Sequence, residues 1–436
     1  MLHERLGFDW RAAALGALGV LVLFAAPLHR IDLLGIGFLL AAAGAIWDPR
    51  AGALLIGATL PFFFFGRTLV GPLAGTPPGL MLILTWAGAL VQAARRRIVL
   101  RWPRTPYDGA LALFLVAALL SLLVTEYPLL SARELRALIF EPVLFLWLLF
   151  AMRGSARLAL TGFLGAAVCT ALIACVQIAL GTGGTEAEGV RRAQAWYPSP
   201  NHLALMLGRA WPFVLAAALT RSRLLWIPAA ILAAGIVLTF STGGWLGVGA
   251  ATVLVVAMLT RRTLAVRFGA AAAATLVIVS GLAIAGVLPE RLNPLRQTGG
   301  FRLDLWVSSV QMIRDHLFFG VGLDNFVYLY QQEYLREGAA AEPNLSHPHN
   351  WLLHFWVELG LLGVLAFGWL QVRFWRFARY TRRTWPVAGA LGAMADFLVH
   401  GFIDNSYFLV DLAFVFWLLL ALLAQGCQEE GETERQ

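Results

Sequence analysis

The chain has 436 residues, 59% of them hydrophobic and only 13% charged, with a mean hydropathy of +0.74. Soluble domains carry about 25% charged residues, so this composition excludes an ordinary soluble protein and predicts an integral membrane one. The formal charge of +8 comes wholly from arginine, since lysine does not occur. Those arginines sit in short loops between apolar runs, which makes the excess a topology signal and not a nucleic-acid footprint.

The opening MLHERLGFDWR has no convincing small-residue cleavage site after it, which predicts no cleavable leader. Apolar runs follow at 12–27, 31–46, 51–65, 79–94, 108–124, 134–152, 158–180, 201–220, 224–240, 243–260, 264–288, 350–372, 386–402 and 405–424. A span takes about 20 apolar residues and several runs are short, so the expectation is about 12–14 transmembrane helices. Lipid satisfies no free backbone group, so the spans must be helices and the fold all-α, a polytopic bundle. Cys169 and Cys175 share one apolar run and read as core packing; with Cys427 they show no metal or disulfide spacing.

Arginine placement sets the expected orientation. Loops 95–104, 153–157, 261–267 and 373–383, with Arg221 and Arg223, should be cytoplasmic, which puts both termini there too. Segments 66–78, 125–133, 181–200 and the long 289–348 then lie outside. The expected organisation is a bundle over 1–288, an external loop domain over 289–348, C-terminal spans over 349–427 and a cytoplasmic tail over 428–436. Within the external domain, Leu303, Trp306, Val310 and Ile313 recur at helical spacing, predicting a surface-lying amphipathic helix over 302–316. GVGLDN at 320–325 reads as a tight turn, because it has neither the preceding strand nor the lysine of a phosphate loop.

The stretch 301–363 gathers half of the chain's eight histidines, so the chemistry is sought there. In His347-Pro348-His349-Asn350 the bland reading is capping, with Asn350 or His347 as N-cap and Pro348 in a first turn. The functional reading is a base: a helix N-terminus disfavours imidazolium and keeps a ring neutral and able to take a proton. Metal binding ranks last, since histidines one residue apart lack the i, i+4 spacing of a helical zinc pair and no cysteine is near.

Arg191 and Arg192 lie on the external side, where topology does not explain them. They pair with Glu186 or Glu188, or they clamp an anion, as guanidinium does with phosphate; Asn201 is the candidate cap of the next helix. Arg302 opposes the dipole at the start of its helix and either binds phosphate, pairs with Asp304 or faces water. Arg291 and Arg296 are weaker candidates of the same kind. Ser241-Thr242-Gly243-Gly244 reads as a turn. Glu141, Arg209, Glu358, Asp396, His400, Asp404 and Asp411 fall in or near spans, where ionisable groups must pair or line a cavity.

Taken together, Arg302…Trp306, Asp315-His316…Gly320…Asn325-Phe326 and His349-Asn350…Leu353…Glu358-Leu359-Gly360…Gly363 resemble the O-antigen ligase and polymerase superfamily. Upstream, Arg192…Pro200-Asn201…Ala204 and Ser241…Gly243 are similar to its earlier blocks, so the likeness runs over about 185–370. Leu317 stands where the family usually has proline, and Thr242 where an arginine commonly follows the serine. The second departure weakens any phosphate role for that turn.

The resemblance implies a metal-independent membrane glycosyltransferase without cofactor. It would move a glycan from undecaprenyl diphosphate to an acceptor hydroxyl outside the cytoplasmic membrane. The acceptor is lipid A–core in ligases, a carrier-linked repeat unit in polymerases and a protein side chain in a third branch. By that likeness His349 is the base with His347 as fallback, and Arg191, Arg192 and Arg302 hold the diphosphate. The implied partners are that donor, a glycolipid, glycan or protein acceptor and the bilayer, with no nucleic acid. A secondary transporter, suggested by the buried acids, and a structural assembly protein are the rival readings.

Overall fold

A computed structural model describes residues 8–27, 29–70, 73–101, 104–187, 189–260, 262–287, 300–340, 343–381 and 383–433. Every predicted apolar run overlaps a helix. In chain order these are α1 (Trp10–Ala25), α2 (Ile31–Trp47), α3 (Pro49–Thr59), α4 (Pro77–Ala94), α5 (Asp108–Ser121), α6 (Pro128–Glu134), α7 (Glu141–Ala151), α8 (Ser155–Ala179) and α9 (Pro200–Thr220). They continue as α10 (Trp226–Leu238), α11 (Thr242–Leu259), α12 (Arg262–Ile284), α13 (Gly300–Asp315), the one-turn α14 (Phe326–Leu329), α15 (Trp351–Ala378), α16 (Trp385–His400) and α17 (Val410–Thr433). Two short hairpins, β1 (Arg67–Val70) with β2 (Leu73–Gly75) and β3 (Thr185–Ala187) with β4 (Val190–Arg192), interrupt them. Among the described residues five helices, α4, α8, α9, α11 and α15, are long and apolar enough to cross a membrane, with six shorter apolar helices beside them. The protein is an all-α polytopic membrane protein.

Helix starts follow local chemistry. Asp9, Asp48, Thr76, Ser199, Ser241 and Asn350 each accept a backbone N–H of the turn they open. Three expectations shift as a result. Ser199, not Asn201, caps α9, because the helix already begins at Pro200. Ser241 to Gly244 is the capped start of α11 and not a turn. Pro348 likewise precedes the helix, since Asn350 takes the cap of α15. Cys169 is exposed on α8, so it is not core packing; Cys175 is half-buried.

The chain divides into two compact units. The first comprises Met1–Thr105, Phe140–Cys169 and Ala413–Leu422. Its helices meet through small residues. A side chain at Gly19 or Gly37 would strike the backbone of the facing helix across the α1–α2 contact. One at Gly57 would strike Ala159, one at Gly162 would strike Leu54, and one at Gly88 would strike Ala45. Such sites let helix backbones approach closely in lipid, where packing replaces hydrophobic drive.

The second unit comprises Pro106–Ile139, Thr170–Leu412 and Leu423–Gln436. Its centre is α9, α11 and α16, where Gly208 and Gly247 close on the Asp396 side chain and Gly389 closes on Phe213. Arg209 pairs with Asp396 in that core, both fully buried, and donates a second bond to Ser406 Oγ at 3.1 Å.

Outside the bundle a small core of Leu305, Met312, Ile313, Phe326, Tyr330 and Val357 fastens α13 and residues 326–334 to the start of α15. The buried face of α13 is therefore offset from the predicted stripe. Leu305, Ser308, Met312 and Ile313 point inward, while Leu303 is 61% exposed and Val310 38%.

Helix α15 breaks at Gly360, whose φ of 66° and ψ of −166° leave the helical region. The break frees backbone groups, and residues 317–321 pair with them: Val321 N–H donates to Val357 O at 2.7 Å and Leu361 N–H to Leu317 O at 3.0 Å. A side chain at Gly360 would collide with Phe318, so only glycine fits there. The turn at 320–325 is as expected, with positive φ at Gly320, Gly322 and Asp324.

Candidate active site

Three pieces of the second unit converge on the start of α15. The first is the approach itself. Trp351 N–H donates to Gly401 O at 2.7 Å, Trp351 Nε1–H to Leu398 O at 3.2 Å and Asn350 Nδ2–H to Phe402 O at 3.2 Å. These bonds clamp the capped end of α15 onto the end of α16. The loop beyond α16, predicted as span from residue 405, stays irregular until Val410, and Asn405 holds it by accepting from Tyr407 and Phe408. That loop carries Asp404.

Clamped this way, His349 adopts φ +49°, a left-handed conformation uncommon for a non-glycine residue. Such conformations persist where surrounding structure holds them, and they cluster at functional sites. Its Nδ1 lies 3.2 Å from Asp404 Oδ1. His347 Nε2 lies 3.6 Å from the same oxygen, and its Nδ1 lies 2.9 Å from Ser346 Oγ. The two imidazole rings are 4.3 Å apart.

The electrostatics of the trio are set by burial. Asp404 is buried, which by itself would push its carboxyl up. The imidazoles of His347 and His349 outweigh that and hold it well below the usual carboxylate range. Burial, reinforced by His349, drives His347 down to about 3 against the pull of Asp404, so that ring is neutral at pH 7. A carboxylate only accepts hydrogen bonds, so the His349 nitrogen facing Asp404 must carry the proton. In the neutral ring that tautomer leaves the lone pair on Nε2.

A cavity of about 90 Å³ adjoins the trio. His347, His354 and Glu358 line it with His202 and Asn405, whereas His349 lies outside its walls. His354 Nε2 is 3.2 Å from Glu358 Oε1, which also accepts from Asp324 N–H at 3.2 Å. His354 and Phe408 stack face to face at 3.8 Å.

The arginines separate. Strand alternation sends Arg191 and Arg192 to opposite faces of their hairpin. Arg191 is bound to Glu186 at 2.6 Å and to the Gly181 carbonyl, as in its bland reading. Arg192 is buried and donates to Thr239 O at 2.8 Å and Asn201 Oδ1 at 2.7 Å. It thereby joins the start of α9 to the end of α10. One residue beyond Asn201, His202 lines the cavity that His347 and Asn405 also line.

Arg302 sits in the first turn of α13. Asp304 pairs with Arg336 at 2.8 Å. One turn on from Arg302, Trp306 Nε1–H donates to Pro348 O at 3.0 Å, which seats α13 on the His-Pro-His segment. Trp306 thus ties the helix that carries Arg302 to the His-Pro-His segment, while Arg192 is held at the start of α9 by Asn201. Arg291, Arg296 and Glu188 lie outside the described residues.

Sequence reading passed over Asp404 as a site residue, naming it only among ionisable groups near spans. The available signal was an acid placed where lipid would otherwise be, followed by Asn405.

Residues 227–368 match the model of the O-antigen ligase family. Among curated proteins none matches the chain. The matched stretch runs from the start of α10 into α15, so it contains Ser241, Arg302, His347, His349 and Glu358, while Arg192 and Asp404 fall outside it. The helix cap at Ser241, the arginine of α13 and the histidines before α15 all lie inside that match, so this part of the chain is similar to the O-antigen ligase family.

Proposed function

We propose that this chain is a membrane glycan transferase that moves a glycan from undecaprenyl diphosphate to an acceptor hydroxyl, with His349 as general base. The match of residues 227–368 to the O-antigen ligase family supports a ligase- or polymerase-like role in processing lipid-linked glycans. The observation that carries the residue assignment is the His349–Asp404 contact. A buried carboxylate fixes the proton on Nδ1, orients the ring and stabilises the imidazolium that forms, which leaves Nε2 to accept a proton.

The reaction balances without a further reagent. The acceptor oxygen attacks the anomeric carbon and its proton passes to His349 Nε2. The bond from that carbon to the diphosphate breaks on the opposite face, and the diphosphate leaves with the electron pair. The anomeric centre inverts. Arg302 and Arg192 stabilise the charge that develops on the leaving group, the task a metal ion performs in other transferases. Arg191, held by Glu186, supports the hairpin that carries Arg192. The apolar spans supply the surface for the polyprenyl tail, and the site faces the outer side of the cytoplasmic membrane.

The test is transfer by purified protein given polyprenyl-diphosphate glycan and a mixed pool of glycolipid, carrier-linked glycan and protein acceptors. His349→Ala is expected to lower transfer by about 10²–10⁴-fold, the usual contribution of a positioned base, while donor binding persists. Normal product from that variant removes the base. The acceptor that becomes glycosylated separates ligase, polymerase and protein-modifying activities.

A further inference from the structure

We propose that His347, His349 and Asp404 form a binding site for a zinc-type divalent ion, and that an ion bound there stops transfer. One donor atom from each residue lies within 4.8 Å of the others. A tetrahedral zinc site with bonds near 2.1 Å places neighbouring ligand atoms about 3.4 Å apart. The two distances to Asp404 Oδ1, 3.2 Å from His349 and 3.6 Å from His347, bracket that spacing.

The donors are also prepared. His347 Nε2 is buried and makes no hydrogen bond, although it faces the carboxylate. Two imidazoles and one carboxylate select a transition metal of the zinc type over calcium or magnesium, which take oxygen ligands. Three protein ligands leave a fourth position open. Sequence spacing argued against a metal because histidines one residue apart lack the i, i+4 spacing and no cysteine is near; the fold brings a further candidate ligand from 55 residues further on.

Inhibition follows from the tautomer. A neutral imidazole carries one proton, so a metal on His349 Nδ1 moves that proton to Nε2. The nitrogen proposed to take the acceptor proton is then blocked. This half of the proposal rests on His349 being the base; the binding half does not.

The experiment uses full-length, tag-free protein in detergent. Zinc binding is measured by competition with a chromophoric chelator, and Co²⁺ absorption reports the coordination geometry. One ion per chain is expected. His347→Gln and Asp404→Asn should each weaken binding at least about tenfold, the loss that follows even from removing an outer-shell partner. His29→Ala, at an exposed histidine elsewhere, should leave binding unchanged. No binding, or an affinity equal to the parent's in all three site variants His347→Gln, His349→Ala and Asp404→Asn, overturns the site. In the activity arm, buffered Zn²⁺ should abolish transfer and a chelator should restore it. Zinc that binds to the trio without slowing transfer overturns the inhibition and the His349 assignment together. Absent zinc binding, with an inactive His349→Ala, overturns the site alone.

Discussion

The two units bury polar chemistry very differently. In the first, backbones close on one another through Gly19, Gly37, Gly57, Gly88 and Gly162, and among its described residues Glu141 is the one buried ionisable group. In the second, Arg192, Arg209, His347, His354, Glu358, Asp396, His400, Asp404 and Asp411 are all buried. Ionisable groups are costly in a membrane and persist where they pair or act. The first unit reads as scaffold, the second as machinery, and single charge removals should separate them.

The largest separation is expected in activity. Asp404→Asn keeps the shape of the side chain but offers an amide N–H toward His349 Nδ1, which favours the wrong tautomer and removes the charge that stabilises imidazolium. Transfer should fall by about 10²–10⁴-fold, the range a positioned base commands, with the loss in kcat and not in donor affinity. Glu141→Gln in the first unit should leave the rate unchanged. Equal losses from both variants would erase the distinction between the units.

Next in size is a loss of stability. Asp396 and Arg209 are fully buried partners, so Asp396→Ala strands a guanidinium among α9, α11 and α16. Breaking a buried pair by removing one partner costs about 3–5 kcal/mol. A double replacement by Met at Arg209 and Val at Asp396 should recover most of it, because the desolvation cost of both charges disappears. Thermal unfolding in detergent, followed by intrinsic fluorescence, checks both variants. A single variant as stable as the parent would mean that the pair contributes little. This pairing also tells against proton carriage by Asp396, since a carboxylate fixed to arginine is a poor proton carrier.

How much of this was legible beforehand depends on sequence distance. The spans, the Asn350 cap, the Gly320–Asn325 turn and the pair of candidate histidines are local, and residue type with spacing carries them. The offset face of α13 was not legible, because Leu303 and Leu305 are equally apolar and only the partners at 326–334 decide which one turns inward. Nor was Asp404. Its contact with His349 goes with a clamp between Trp351 and Gly401, a contact between distant segments that no periodicity encodes. The same holds for Arg192, whose burial at Thr239 and Asn201 distinguishes it from Arg191, a residue of the same type one position earlier.

The smallest effect expected concerns Asp324, at the tip of the turn that braces Glu358. Burial raises its carboxyl above the ordinary value, and Arg133 at 2.9 Å only partly counters this. The folded state therefore binds the proton more tightly than the unfolded chain. The resulting stability is fully present below the unfolded value of about 3.9, and it is lost as pH rises through the higher folded value. At neutral pH the ionised side chain is a net cost, and its half-exposed arginine partner returns little, since such surface pairs give about 0–1 kcal/mol. Asp324→Asn removes the charge and keeps a residue type that tolerates the φ of +59° found here. The variant should match the parent near pH 4 and exceed it at pH 7 by less than about 1 kcal/mol, the scale of the surface pair it gives up. Melting curves of both proteins across pH 4–8 read this directly. A parent that gains on the variant as pH rises would show that Arg133 outweighs burial, and that this turn is held by its charge pair.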